Sequence, residues 1–592
     1  MASLRLLLPL LGALASPSAA QDAPPIFRLL PRETIAALGV EGAPAVKAAF
    51  EESVYGRLWS EKEVKTWLAP LVGFWEKGME EMKGEVGFTV ADLWDTMDGG
   101  VAVAILDLVQ REGEGDPGLT IGVVADLGGK KDRFESFLEK AIEKAKEDGN
   151  LSRTEEEYRG TEVAVLRPAK PPEEKEEEAH MRFAFVGSVF VSCASNLKED
   201  RLEALLDRAQ GREEENSILR SERFRKAAAK AGRGSLLIYG DLERVWKVVR
   251  GSGDPEGEEK AQALGVFDLN AVAVSLGFGK EGTRAAAYVG GARSGLFSLA
   301  QMPTGDFKTA ALAPADAASF SAYRIELKKI WDLILRMATE FEGEEGEARR
   351  EIEAKEKEFG FSIGEDLLAS FGDEIAFFAG RPDPDDPTAE AFSAEDPESA
   401  FMVGITRATI LFALRQSEKL EGYLETLLKK VGLGATLKTE EYQGRRIHSF
   451  MALMVPLSYA VAGDTLVLGF APERVQEVLR RIEKPDTPSL KESDRFLQAL
   501  APLPKPRASV SYANAEASLE EMEGAFKMLA GMLSRIQFDA HEGGGTGPSP
   551  SFDLAALFEK FPAAALKRHW KRDSASTLVP DGDGVLWVSL GP

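Results

Sequence analysis

One stretch of this chain is written twice, and that repeat limits the fold more than any single motif does. The first version runs from Glu157-Tyr158-Arg159-Gly160 to Ser221-Glu222-Arg223-Phe224, the second from Glu441-Tyr442-Gln443-Gly444 to Ser493-Asp494-Arg495-Phe496. Each opens with Tyr-x-Gly and an extended run, Thr161 to Leu166 in one and Arg445 to Phe450 in the other. A second apolar pair of runs follows, broken at Gly187-Ser188 and at Gly463-Asp464, which reads as two strands joined by a hairpin turn. Leu202, Leu205, Leu206 and Ala209 then match Val475, Val478, Leu479 and Ile482 at i, i+3, i+4, i+7, the spacing of one buried helix face. Ser217 and Ser489 come next, then Ser-x-Arg-Phe, with Ser221 and Ser493 placed to cap a helix. Leu236-Leu237-Ile238-Tyr239 and Val510-Ser511-Tyr512 close the unit as strands.

The likeness continues upstream. Gly87-Phe88-Thr89-Val90 resembles Gly360-Phe361-Ser362-Ile363, and Phe134 to Glu139 resembles Leu420 to Glu425. Several matches in one order point to an internal duplication. The length differences fall in loops, chiefly the acidic insert Pro171 to Glu178, because loop closure grows costly only slowly with length. Strands come in runs joined by short turns, with helices between the groups. That pattern predicts an α+β fold: two homologous halves, 25–300 and 310–592, each a mostly antiparallel sheet with helices packed on it.

Helices are expected over Ala45 to Met82, with Trp59, Trp67, Phe74 and Trp75 packed inside, over Asp132 to Lys146, and over Phe320 to Lys357. Further helices are expected at Glu418 to Val431 and Leu519 to Ile536. Leu269 to Leu276 and Thr283 to Val289 read as a hairpin, and strands are expected at Glu374 to Ala379, near Phe401 to Thr406 and at Ile410 to Leu414.

The first residues read as a secretory leader. Arg5 supplies the positive charge, Leu6 to Leu14 the apolar core, and Ser18-Ala19-Ala20 a small-residue cleavage site before Gln21. The run is short and interrupted by Pro9 and Pro17, which argues against a membrane span, and no transmembrane segment is expected later. The mature chain is therefore expected to be soluble and extracytoplasmic, periplasmic or secreted. Its formal charge of −25 argues against nucleic acid, whose phosphates need Lys and Arg, and against an anionic membrane surface. The one cysteine, Cys193, excludes an internal disulfide and reads as a small buried residue.

No catalytic constellation is legible, and no catalytic, cofactor or metal residues are assigned. Gly277-Phe278-Gly279-Lys280-Glu281-Gly282 fits a dinucleotide-binding pattern but is followed by a strand-like run instead of the required helix, so it reads as a hairpin turn. Ser195-Asn196-Leu197-Lys198 fits S-x-x-K without the Lys-Thr-Gly strand that such enzymes need. His180, His448, His541 and His569 show no i, i+4 pairing, and each reads as a satisfied or solvated histidine. Asp383 to Asp386 and Asp581 to Gly584 read as solvated turns without EF-hand spacing. Tyr158 and Tyr442, each before x-Gly, read as packed turn residues.

Together, the leader, the Leu30-Pro31 opening, the two Glu-Tyr-x-Gly stretches, the Gly187-Ser188 and Gly463-Asp464 turns and the paired Ser-x-Arg-Phe resemble an uncharacterised exported bacterial family, a domain of unknown function with duplicated α+β halves. The resemblance implies export, and it carries over no catalytic residues. The expectation is a non-enzymatic binding or scaffolding protein of the cell envelope. A carrier of an apolar ligand such as a lipid, or a hydrolase with a carboxylate-based site, are the alternatives. Oligomeric state, partner and any role for Cys193 stay open.

Overall fold

The computed structural model describes residues 23–111, 117–149, 151–169, 179–250, 255–342, 346–381, 407–452, 455–535 and 554–592. The leader with its Ser18-Ala19-Ala20 site, the acidic insert Pro171 to Glu178, the Asp383 to Asp386 turn, the strand near Phe401 to Thr406 and His541 lie outside these residues. The chain divides into two compact units. The first holds residues up to Ala292 together with Asp583–Val588, the second Arg293–Gly582 and Ser589–Pro592.

The first unit contains β1 (Ala36–Val40), β2 (Gly100–Val109), β3 (Gly118–Asp126), β4 (Leu151–Tyr158), β5 (Thr161–Pro168), β6 (His180–Val186), β7 (Val189–Ser195), β8 (Leu236–Gly240), β9 (Ala271–Gly279) and β10 (Gly282–Gly290). They pair antiparallel in the order β4-β5-β6-β7-β3-β2-β1-β8-β9-β10. The second unit contains β11 (Ser319–Arg324), β12 (Phe371–Ala379), β13 (Ala408–Leu414), β14 (Lys438–Tyr442), β15 (Arg445–Ala452), β16 (Val455–Ala462), β17 (Thr465–Gly469), β18 (Ser509–Ala513) and β19 (Ser574–Pro580), and the chain ends in β20 (Gly584–Gly591). The order within this unit is β14-β15-β16-β17-β13-β12-β11-β18-β19, again antiparallel. The fold is thus mixed α+β and built on antiparallel sheet.

The apolar runs of β6 and β7 follow from burial on both faces. Phe183 and Phe190 join a cluster with Phe134 of helix Lys131–Glu147 on one side. Ala184, Val191 and Cys193 join a cluster with Leu202, Leu205 and Leu206 of helix Leu202–Ala209 on the other. Successive side chains point to opposite faces, so a strand covered on both sides must be apolar throughout. The run from Phe183 to Val191 is therefore consumed by packing.

The repeated motifs hold equivalent structural posts. Pro31 bridges Ser217, and Ile218 N donates to Leu30 O at 2.9 Å; in the other unit Pro314 bridges Ser489, and Leu490 N donates to Ala313 O at 2.9 Å. Ser221 caps helix Glu222–Ala231 by accepting from Phe224 N, whereas Ser493 occupies the cap position of helix Asp494–Leu500 without a side-chain hydrogen bond. Phe224 packs edge-on to Tyr239 at 4.9 Å, and Phe496 edge-on to Tyr512 at 5.3 Å. Tyr-x-Gly is a turn in both units: Arg159 and Gly160 have φ of 50° and 80°, Gln443 and Gly444 of 52° and 72°.

Two expectations need correction. The helix predicted from Phe320 begins instead as β11, because Phe320 and Ala322 are buried while Ser319 and Ser321 are not, a period of two. The helical part runs Leu327–Glu342 and Glu347–Phe359. Phe74 is 63 % exposed and does not pack within its helix region. His180 is the first residue of β6. Among the described residues no helix is long and apolar enough to cross a membrane.

Candidate functional site

The residues singled out in the sequence are mostly structural. Gly279 to Gly282 is the turn of the β9–β10 hairpin, and no helix follows it. Ser195 exchanges a hydrogen bond with Thr120 at 2.8 Å inside the sheet, so its hydroxyl is committed to packing. Cys193 is buried, and burial pushes its thiol well above the ordinary range, which makes it inert as a nucleophile. The arginine of each Ser-x-Arg-Phe reaches a buried aspartate. Arg223 donates to Asp241 at 2.6 and 2.7 Å, and Asp241 also accepts from Arg244 N at its helix start. Arg495 donates to Asp573 at 2.7 and 3.1 Å, and Asp573 also accepts from Tyr512 Oη and Ala515 N. Burial, reinforced by Asp573, raises the Tyr512 phenol. Each aspartate is thus a saturated acceptor that ties a helix start to the sheet, with nothing left for a substrate.

Among the described residues, a cleft and a polar cluster are not used up by packing. The first is a cleft of about 620 Å³ in the first unit, a volume in the ordinary range for small-molecule sites. Its walls come from three successive helices, Ala43–Glu52, Val54–Ser60 and Lys62–Val86, and from the end of Val90–Trp94. Val46, Phe50, Trp59 and Trp94 line it with apolar surface, and Lys47, Lys65, Lys130 and Arg133 stand around it together with Glu51 and Asp95. Lys130 pairs with Asp98 at 2.6 Å and Arg133 with Asp92 at 2.9 Å. Lys65 presents an exposed ammonium on the first turn of its helix. Trp94 also packs against two apolar clusters, which fixes its indole in place. The two tryptophans are 35 residues apart in a chain with eight of them, so sequence carried no signal that they meet.

The second place is polar and lies in the second unit. Glu421 and Glu425, one turn apart on helix Ser417–Lys430, face His448 of β15, and the ligand atoms of all three lie within 4.8 Å of one another. His448 is 1 % exposed. Its Nε2 lies 2.8 Å from Glu421 Oε1 and 4.0 Å from Glu425 Oε1, and its Nδ1 lies 3.0 Å from Thr439 Oγ1. The reading of His448 as a satisfied histidine matches these contacts; the convergence of two carboxylates on it was not legible.

No protein-family model matches the chain, and no curated protein matches it significantly. One solved structure, crystal form III of TP0453, aligns at 10 % identity over 46 % of this chain and 81 % of that one, with a TM-score of 0.20. A likeness this low carries no argument about fold or function.

Proposed function

We propose that the protein is an exported, non-enzymatic binding protein whose first unit receives an amphipathic anion, a long acyl chain ending in a carboxylate being the chemistry that fits. The carrying observation is the cleft, where Phe50, Trp59 and Trp94 provide apolar walls and four cations, Lys47, Lys65, Lys130 and Arg133, outnumber the two carboxylates, Glu51 and Asp95. Apolar surface binds the chain by removing it from water, and the cations place its head. Export rests on the leader ending at Ala20, and N-terminal sequencing of protein from its own host should begin at Gln21. The two halves, in this reading, arose by internal duplication. Shared strand order, paired Tyr-x-Gly turns and equivalent Arg–Asp posts support that origin.

The test is tryptophan emission titrated with oleate below its micelle concentration, with a neutral monoacylglycerol as control. A saturable change with oleate is expected, at least about tenfold weaker in Trp59→Ala and in Lys65→Glu, because a lost charge contact costs about 1.4 kcal/mol or more at that ratio. No saturable change, or equal titration by both variants, overturns the proposal and leaves a scaffolding role as the reading.

A further inference from the structure

We infer that the second unit carries a divalent-metal site, of the zinc class, formed by Glu421, Glu425 and His448. The inference is independent of the cleft in the first unit.

The two units supply an internal control. In the first, the third residue past the strand start is Ala164, which pairs across β5–β6 with Phe183; at the same register of β15–β16 the second unit places His448 opposite Tyr459. An apolar pair therefore suffices to build this part of the sheet. The first unit also answers its helix carboxylate internally: Arg153 of β4 donates to both oxygens of Glu139 at 2.8 Å and lies over the Phe183 ring. At the position matching Arg153, five residues before the turn tyrosine, the second unit has Leu437. It has a histidine in place of the alanine and a hydroxyl in place of a ring hydrogen, and the sheet cation on its helix carboxylates is Arg446 of β15, at the position of Glu162 in the first unit.

The geometry is that of a ligand set with its outer partners. Arg446 holds Glu421 Oε2 at 2.6 Å, and Lys429 lies 3.5 Å from Glu425 Oε2. The two Oε1 atoms are left on the His448 side, although Arg446 also comes within 3.7 Å of Glu425 Oε1. Zinc bonds of about 2.0–2.2 Å to nitrogen and oxygen need ligand atoms about 3–3.5 Å apart, so small rotations of two glutamate side chains suffice. With zinc on Nε2, the single hydrogen of the neutral ring sits on Nδ1 and donates to Thr439 Oγ1. A hydrogen bond of that kind orients metal-binding histidines generally.

Tyr459 is the second, separate indication. Its ring stacks on the His448 ring at 4.8 Å, it is 3 % exposed, and its hydroxyl has no hydrogen-bond partner among the described residues. A buried hydroxyl without a partner is costly. Water or hydroxide completing a zinc coordination sphere would supply that partner. The ligand types suit zinc better than calcium or magnesium, which prefer oxygen alone.

The experiment is calorimetric titration of the chelator-treated full chain with zinc chloride, with the visible absorption of the cobalt(II) form as a second readout. One equivalent is expected. Binding should weaken at least about 100-fold in His448→Ala/Tyr459→Phe, and about tenfold or more in Thr439→Val, the range for a lost outer partner. The double variant copies the pair that the first unit already folds with, and circular dichroism checks this. If it fails to fold, Glu421→Gln/Glu425→Gln, on a partly exposed helix face, takes its place under the same criterion. A wild-type chain that takes up no zinc overturns the inference. So does zinc bound equally by wild type and variant, which would assign it to scattered surface carboxylates.

Discussion

Thr89 and Asp92 close the start of helix Val90–Trp94 by satisfying each other. Thr89 Oγ1 accepts from Asp92 N at 3.0 Å, and Asp92 Oδ2 accepts from Thr89 N at 3.0 Å and from Thr89 Oγ1 at 2.8 Å. Burial pushes the Asp92 carboxyl up, but these hydrogen bonds, with Lys83 and Arg133 nearby, outweigh it and hold the group below its usual value. A depressed carboxyl contributes stability that is present above its unfolded pKa, about 3.9, and is lost as pH falls through the folded value. Asp92→Asn should therefore cost about 1 kcal/mol at pH 7, the usual worth of such a cap, and less near pH 3. Urea midpoints at the two pH values check this, and an equal loss at both would show that ionisation plays no part. The pair was open to reading because capping is local: the Gly-Phe-Thr and Gly-Phe-Ser stretches matched in sequence and both start helical turns. Glu421, Glu425 and His448 were not open to it. Glutamates at i, i+4 are common in a chain with 29 % charged residues, and nothing local says which pair a distant strand will meet.

At the scale of elements, the hairpins show how a turn sets register. Gln443 and Gly444 both have positive φ, the requirement of the two-residue turn that matches strand twist, and they fix the pairing of Tyr442 with Arg445. A residue other than glycine or asparagine pays for that conformation. Gln443→Asn should raise stability by about 0.5–1 kcal/mol. Gly444→Ala should lower it by about 1 kcal/mol from backbone strain alone, since an added Cβ meets nothing within 4 Å. Thermal midpoints of the two variants should move in opposite directions. These turns were legible as Tyr-x-Gly. The start of β11 was not, because Phe320, Tyr323 and Leu327 also fit a helical spacing and the charged residues beyond them extend it. Two neighbouring strands, β12 and β18, supply the hydrogen bonds that decided it.

For the whole molecule, a net charge of −25 opposes compaction by self-repulsion. Salt shortens the range of that repulsion from about 30 Å at 0.01 M to about 8 Å at 0.15 M. The urea midpoint should therefore rise between 10 and 150 mM sodium chloride. A fall would mean that ion pairs such as Arg182 with Asp200, partly buried and 2.9 Å apart, outweigh the general repulsion.

The sequence by itself determined what is local or periodic. It specified the α+β class, the helix faces, the turns and the correspondence between the Tyr-x-Gly and Ser-x-Arg-Phe stretches, because each is set by residues within a few positions of one another. The tertiary structure alone decided which strands are neighbours, that β7 lies between two apolar clusters, and that Trp59 and Trp94 share a cleft. It alone brought two glutamates of a helix to a buried histidine of β15. Those facts depend on contacts between residues far apart in the chain, and one sequence holds no local record of such contacts.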